Sequence, residues 1–282
     1  MNSSTSTPNG EHGSSGGTVS EGLASLEFIG TATCLLRLGP FTVLTDPNFL
    51  HRGQLAYLGK GLASRRLTEP AMQPSELPSL DAIVLSHLHG DHFDRIARRE
   101  LQRTPPVYTT APAARRLERW GFDAHALDTW DTRLLTRGSW TLRLTATPGQ
   151  HAPGPATHLL PRVMGSVLEL HENEALRLRV YVTGDTLYRP TLAAVTERCG
   201  PIDSMIIHLG GTRILGLLVT MDARQGAQMV RTVRPHVIVP VHFDDYTVFR
   251  SPREDFAGLF ERAELPGELR LVERGQRISL MP

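Results

Sequence analysis

Residues 86–94 read Ser-His-Leu-His-Gly-Asp-His-Phe-Asp, directly after the apolar run Ala82-Ile83-Val84-Leu85. His87, His89, Asp91 and His92 place four potential metal ligands within six positions. Packing does not explain a strand that ends in imidazoles and a carboxylate, because such groups need polar or ionic partners when buried. In extended backbone, His87 and His89 point to the same side. Gly90 tolerates positive φ and so permits a turn. Asp91 and His92 then start a new direction and can face a second ion, so the spacing suits two adjacent metals better than one. Neutral imidazoles and carboxylates close on zinc at about 2.0–2.2 Å. Other segments must therefore converge on the end of this strand, which restricts the fold.

The chain offers those segments. Three apolar stretches, Leu26–Ile29, Cys34–Leu38 and Phe41–Leu44, follow in succession with Gly39-Pro40 as a turn, which predicts a β-meander ending at Thr45-Asp46-Pro47. Strands are expected at 82–86, 107–110, 133–136, 140–146, 164–170, 176–183, 205–207 and 237–241. Helices are expected at 94–102, 111–120, 189–198, 221–233 and 254–263, with Thr220 as an N-cap. Residues 268–280 read as a closing strand pair. Strands dominate the first half and alternate with helices afterwards. That pattern fits an α/β architecture, two mixed β-sheets with outer helices in a four-layer αββα sandwich. Residues 48–79 read as a long irregular connection of the kind that often carries function.

Composition narrows the rest. Residues 1–22 are rich in Ser, Gly, Thr and Asn and read as a disordered tail, with one ordered domain over 23–282. Thirty basic residues against 29 acidic leave a net charge of +1, so no nucleic acid or anionic membrane is expected as partner. Lys60 is the only lysine, a skew towards arginine that weakens inference from arginine counts alone. Cys34 and Cys199 form no C-x-x-C pair, and no apolar stretch reaches membrane-spanning length. A reducing cytoplasm is the simplest expectation. The oligomeric state stays open.

The H-x-H-x-D-H cluster resembles the signature of the metallo-β-lactamase superfamily, and three further blocks match that family's pattern in order. They are Thr147-Pro148-Gly149-Gln150-His151, Tyr181-Val182-Thr183-Gly184-Asp185-Thr186 and Ile238-Val239-Pro240-Val241-His242. The resemblance implies the metallo-β-lactamase fold and a metal pair. His87, His89 and His151 would hold the first ion, Asp91, His92 and His242 the second, and Asp185 would bridge them. It further implies a dinuclear hydrolase in which a bridging hydroxide attacks a carbonyl carbon or phosphorus, with Asp91 as the catalytic residue that orients it and passes a proton. The centre stays net positive, which favours an anionic substrate or developing oxyanion. Zinc is the first expectation because most ligands are imidazoles, with manganese and iron open.

Local wording points to one branch. Thr45-Asp46-Pro47, Val163-Met164-Gly165-Ser166 and Thr220-Met221-Asp222 resemble ascorbate-phosphate lactonase and the N-acyl phosphatidylethanolamine phospholipase D-like proteins. A small-molecule ester, lactone or phosphodiester is the substrate class this implies. The alternative is an iron-dependent oxidoreductase of the thiol dioxygenase type on the same fold. Asp46 is either a partner that orients a histidine ligand or a turn former. His208 either contacts substrate or is incidental. Residues 48–79 and 209–219 are expected to wall the pocket, with Arg213 as an anion contact.

Overall fold

A computed structural model describes residues 22–282. The tail expected over 1–22 lies outside the described residues except for Gly22. The first sheet runs Arg277–Ser279, Ala24–Gly30, Thr33–Leu38, Phe41–Thr45, Ala82–Val84, Val107–Thr109, Ala124–Ala126. Its pairings are antiparallel as far as Phe41–Thr45 and parallel beyond it. The second sheet runs Glu268–Leu269, Val237–Val241, Ser204–His208, Ala175–Val182, Met164–Glu172, Trp140–Pro148, Thr132–Arg137. Here the first three pairings are parallel and the rest antiparallel.

Period-two alternation on the strands builds the layers. Val43, Ala82 and Val84 of one sheet meet Val180, Val182, Val237 and Val239 of the other in a central core. Leu44, Ile83 and Leu85 point the opposite way, under helices Arg95–Glu100 and Ala111–Glu118. Tyr181, Met205, Ile207 and Ile238 do the same under Ala194–Cys199, Ala223–Val233 and Arg253–Arg262. Central strands such as Ala82–Val84 and Val237–Val241 are buried on both faces, which is why they read as continuous apolar runs. Helix–sheet–sheet–helix layering follows, as expected.

Several local expectations need correction. The helix at 223–233 is capped by Asp222, whose carboxylate accepts from the amide of Gln225; Thr220 lies outside the helix. The final segments do not pair with each other. Glu268–Leu269 closes the second sheet and Arg277–Ser279 the first. The irregular stretch 48–79 contains a hairpin, Leu55–Gly59 with Leu62–Arg65, that turns on Lys60 and Gly61, both at positive φ. A second hairpin, Arg213–Ile214 with Leu217–Leu218, turns on Leu215 and Gly216 in the same manner. Strand Ala124–Ala126 was not anticipated; three residues carry too little periodicity to be read. Cys34 and Cys199 are both free. Among the described residues no helix is long and apolar enough to cross a membrane.

Candidate metal centre

The strands that carry the chemistry run in the same direction and open on one edge. Asp46 follows Phe41–Thr45, and the His87–His92 cluster follows Ala82–Val84. His151 follows Trp140–Pro148, Asp185 follows Ala175–Val182, His208 ends Ser204–His208, and His242 follows Val237–Val241. Ligands in open α/β sheets gather at the carboxyl ends of strands for this reason. All of these side chains are buried.

His87, His89 and His151 form one group of converging donors. His89 Nδ1 lies 2.9 Å from His87 Nε2 and 3.3 Å from His151 Nε2. Ligands held at zinc distance in a tetrahedron stand about 3.3 Å apart. His151 Nδ1 donates to the carbonyl of Val219 at 2.8 Å, which leaves the Nε2 lone pair facing the group.

Asp91, His92 and His242 form another. His92 Nε2 and His242 Nε2 are 3.1 Å apart, and Asp91 Oδ2 is 3.5 Å from His242 Nε2. His242 Nδ1 donates to the carbonyl of Leu209 at 2.9 Å, again aiming Nε2 inward. Asp185 groups with His87 of the first set and His92 of the second, and its Oδ2 is 3.2 Å from His92 Nε2. Asp91 Oδ1 and Asp185 Oδ1 are buried without a hydrogen-bond partner. Unpartnered carboxylate oxygens beside converging imidazole lone pairs are what a cation would satisfy, so the donor set fits metal binding.

Gly90 has no positive φ. The expected reason for this glycine is therefore wrong. A Cβ there would lie 2.7 Å from both the N and the O of Tyr57, so the position needs close backbone approach. Gly184 meets both demands, with φ +61° and a Cβ position 2.5 Å from the carbonyl oxygen of Met164. His242 itself sits at φ +63° and Asp46 at φ +38°. Left-handed conformations are uncommon for such residues and concentrate at functional sites. His242 is held there by its amide donating to Thr31 O at 2.7 Å.

Behind the second set lies a row the sequence did not resolve. Asp46 Oδ1 accepts from the amide and hydroxyl of Ser86, at 2.7 and 2.9 Å. Its Oδ2 stands 3.4 Å from both His92 Nδ1 and His208 Nε2. The side chain thus reaches histidines while the backbone makes the turn. His208 has no exposed surface and faces Asp46 and Thr183 rather than a pocket, so the substrate contact expected of it is not found. Thr220, read as a helix cap, donates to Asp185 Oδ2 at 3.2 Å. Ser86 and Thr220 were missed because a hydroxyl beside a ligand leaves no mark on spacing.

Electrostatics separates the two sets. Burial, then the neighbouring rings, holds His87 well below the ordinary imidazole range, and burial with His151 brings His89 to about 3. Burial also lowers His151. These rings are neutral, the form that ligates. For His92 burial works in the same direction, but Asp185, Asp46 and Asp91 overcome it and push the ring well above its usual value. Asp185 does likewise for His242. Burial would raise Asp46, yet His92 and His208 hold it at about 2.

A cavity of about 740 Å³ opens beside His89. The hairpins at 55–65 and 213–218 wall it with Tyr57, Leu62, Ile214 and Leu215, and Leu159–Pro161 and Val248 complete it. Arg213 reaches its rim, about half exposed and 3.9 Å from Asp222.

The family model for the beta-lactamase superfamily domain matches residues 42–243. A metal-dependent hydrolase of Thermococcus kodakarensis is 25% identical over 257 residues, covering 87% of this chain and 98% of its own. The crystal structure of an isothiocyanate hydrolase from Delia radicum gut bacteria superimposes with a TM-score of 0.76 at 18% identity, over 92% of this chain and 100% of the other. A diiron beta-hydroxylase from Streptomyces venezuelae shares the fold with a TM-score of 0.63 at 19% identity, over 91% of this chain and 54% of its own. With two sheets, outer helices and clustered His and Asp donors at the strand ends, the chain belongs to the beta-lactamase superfamily domain family and is a metal-dependent hydrolase.

Proposed function

We propose that this enzyme is a dinuclear hydrolase of a small ester, lactone or phosphodiester that carries an apolar acyl or aryl group. The observation that carries the proposal is the pair of three-donor groups, His87–His89–His151 and Asp91–His92–His242, joined by Asp185. In this reading each group holds one ion and Asp185 bridges them, with zinc as first choice for an imidazole-rich set. Metal ions at such a site acidify water towards a pKa of about 7 and stabilise charge developing on oxygen.

The chain's own groups supply the rest. Asp91 turns Oδ2 towards His242 and leaves Oδ1 without a partner. The carboxylate accepts a proton as water adds to the carbonyl or phosphorus, and returns it to the departing oxygen. Val219 O and Leu209 O fix the ring orientations of His151 and His242. The apolar cavity beside His89 takes the acyl or aryl group and excludes water from that side of the bond.

Metal quantification coupled to a panel of lactone, ester, phosphomonoester and phosphodiester substrates tests the proposal. Two equivalents of metal are expected, with hydrolysis that falls at least about 10²-fold in Asp91→Asn. One iron per chain with oxygen consumption on a thiol would instead establish the oxidoreductase alternative.

A further inference from the structure

A second cavity, of about 630 Å³, lies on the other side of His89. It shares Tyr57, Leu88, His89 and Pro161 with the apolar one, so the two meet at the edge of the first histidine group. It differs in charge. Arg95, Arg98, Arg116, Arg119 and Arg162 line it. Arg95 and Arg98 are three apart at one helix, as are Arg116 and Arg119 at the next, spacings that keep each pair on one face. Trp120 stands between them, with the Arg98 guanidinium 4.5 Å and the Arg116 guanidinium 5.3 Å from its ring.

The acid needed to neutralise these cations is missing from the cleft. Its one carboxylate, Asp94, spends both oxygens on the amides of Phe49, Leu50, Ile96 and Ala97. Among the described residues, none of the five arginines pairs with a carboxylate. Elsewhere on the surface many do, among them Arg137 with Asp81 and Arg277 with Glu27. The chain's arginine-rich composition accounts for the residue type, but not for five guanidinium groups without a carboxylate partner gathered on one cleft that abuts the metal centre. Arg95 donates to Leu55 O and Arg119 to Arg115 O, which leaves each further N–H groups for an anion. Guanidinium forks pair bidentately with phosphate oxygens, and stacking on an aromatic ring pre-orients them.

We propose that this cleft is the subsite for a phosphate-bearing part of the substrate. It rests on the hydrolase reading for the position of the scissile bond, which then lies at His89 between an anionic portion in the arginine cleft and an apolar portion in the leucine-lined cavity. The substrate class is an amphiphile with a phosphate or diphosphate at one end. Arg213 is not the anion contact in this assignment; it sits on the rim of the apolar side.

The test is binding of inorganic pyrophosphate to the metal-loaded enzyme by calorimetry, compared with the Arg98→Gln/Arg116→Gln double variant. Both side chains are exposed, and unchanged melting temperature and metal content would verify that the variant is folded and loaded. Affinity is expected to fall at least about tenfold in the variant. Equal binding to both proteins would place pyrophosphate on the metals and overturn the assignment, as would no binding to either. Co-sedimentation with phosphatidylcholine vesicles containing phosphatidic acid, lost in the variant, would identify a lipid source for the phosphate; pyrophosphate binding without it, a soluble one. For hydrolysis, the variant should keep kcat/KM on a phosphate-free ester and lose it on a phosphate-bearing one. Arginine-dependent pyrophosphate binding in an enzyme that hydrolyses nothing in the panel would leave the cleft assigned and refute the hydrolase reading alone.

Discussion

Replacing Gly90 by alanine tests whether close backbone approach, rather than turn geometry, fixes the ligand cluster. The added Cβ would sit 2.7 Å from the N and O of Tyr57, and ordinary contact begins near 3.4 Å, so one backbone must retreat by about 0.7 Å. Neither neighbour is a flexible side-chain end. Overpacking of this kind costs about 1–3 kcal/mol. One hydrogen bond crosses the contact, Gly90 N donating to Tyr57 O at 2.9 Å, and a second holds the glycine from Asn48, whose Nδ2 donates to Gly90 O at 2.8 Å. Weakening them adds about 1 kcal/mol. The expected loss is about 2–4 kcal/mol, a Tm lower by roughly 5–15 °C for a chain of this size. Asp91 and His92 follow directly in sequence, so metal retention should fall about 10–100-fold. Thermal unfolding and metal content after dialysis measure both. Gly61→Ala is the control: it has no atom within 4 Å but lies at φ +81°, so it should cost only about 1–2 kcal/mol of backbone strain and keep its metal. A G90A protein with wild-type Tm and metal content, or a G61A protein that loses metal equally, would refute the steric reasoning.

Other perturbations bear on neighbouring parts of the site. Asp46→Asn keeps an acceptor for Ser86 but removes the charge beside His92 and His208; metal affinity should drop about 10–100-fold in competition with a chromophoric chelator. Unchanged affinity would reduce Asp46 to a turn former. Asp245 is held below the usual carboxylate value by Arg66 and Arg274 despite burial. Its folded value is below its unfolded one of about 3.9, so its stabilisation is complete above roughly pH 4 and is lost as pH falls through the folded value. Asp245→Asn should therefore cost about 3–5 kcal/mol near neutrality, by leaving Arg66 buried without its carboxylate, and should flatten the acid limb of a urea-unfolding series. Parallel acid limbs would contradict this. Stripping metal with a chelator should lower stability by about 2.7 kcal/mol relative to protein in metal at a hundred times its Kd, and zinc should restore it; an unmoved Tm would argue against a structural hold on the ions.

What was legible in the chain follows from which forces leave a sequence trace. Strands buried on both faces require unbroken apolar runs, so Ala82–Val84 and Val237–Val241 stood out. His87, His89, Asp91 and His92 stood out by spacing alone, whereas His151, Asp185 and His242 could be picked out only because their blocks resemble the superfamily's pattern in order; the fold brings all seven together. His208 ends a strand that lies between those delivering Asp185 and His242, yet its ring faces Asp46 and Thr183. Nothing in Met205-Ile206-Ile207-His208 distinguishes a ligand from this outcome, because the difference lies in side-chain partners supplied by distant segments. The hairpins at 55–65 and 213–218 were hidden because two-residue turns on Lys60-Gly61 and Leu215-Gly216 need only one glycine each, a weak signal in a glycine-rich chain. The arginine cleft is invisible in sequence for a similar reason: its five members come from two helices and a loop, amid an arginine background.

The buried ion network beneath the second donor set explains why strain at the site persists. Arg66, with no exposed surface, lies 3.7 Å from Asp245 and donates to both oxygens of Asn48. From this hub one arm runs through Asp245, which accepts from the amide of Thr31 at 2.7 Å, to Thr31 O and so to the amide of His242. The other runs through Asn48, where Tyr246 also donates, to the carbonyl of Gly90. A left-handed His242 costs energy locally, the close approach to Tyr57 at Gly90 leaves no room for a Cβ, and each is tied to the same guanidinium–carboxylate pair. Buried ion pairs contribute little net stability over apolar packing of equal volume. Here the pair holds the two loops that deliver Asp91, His92 and His242 in one geometry, so its worth lies in positioning. The candidate metal site and the stability of the fold are thus coupled through residues outside the donor groups.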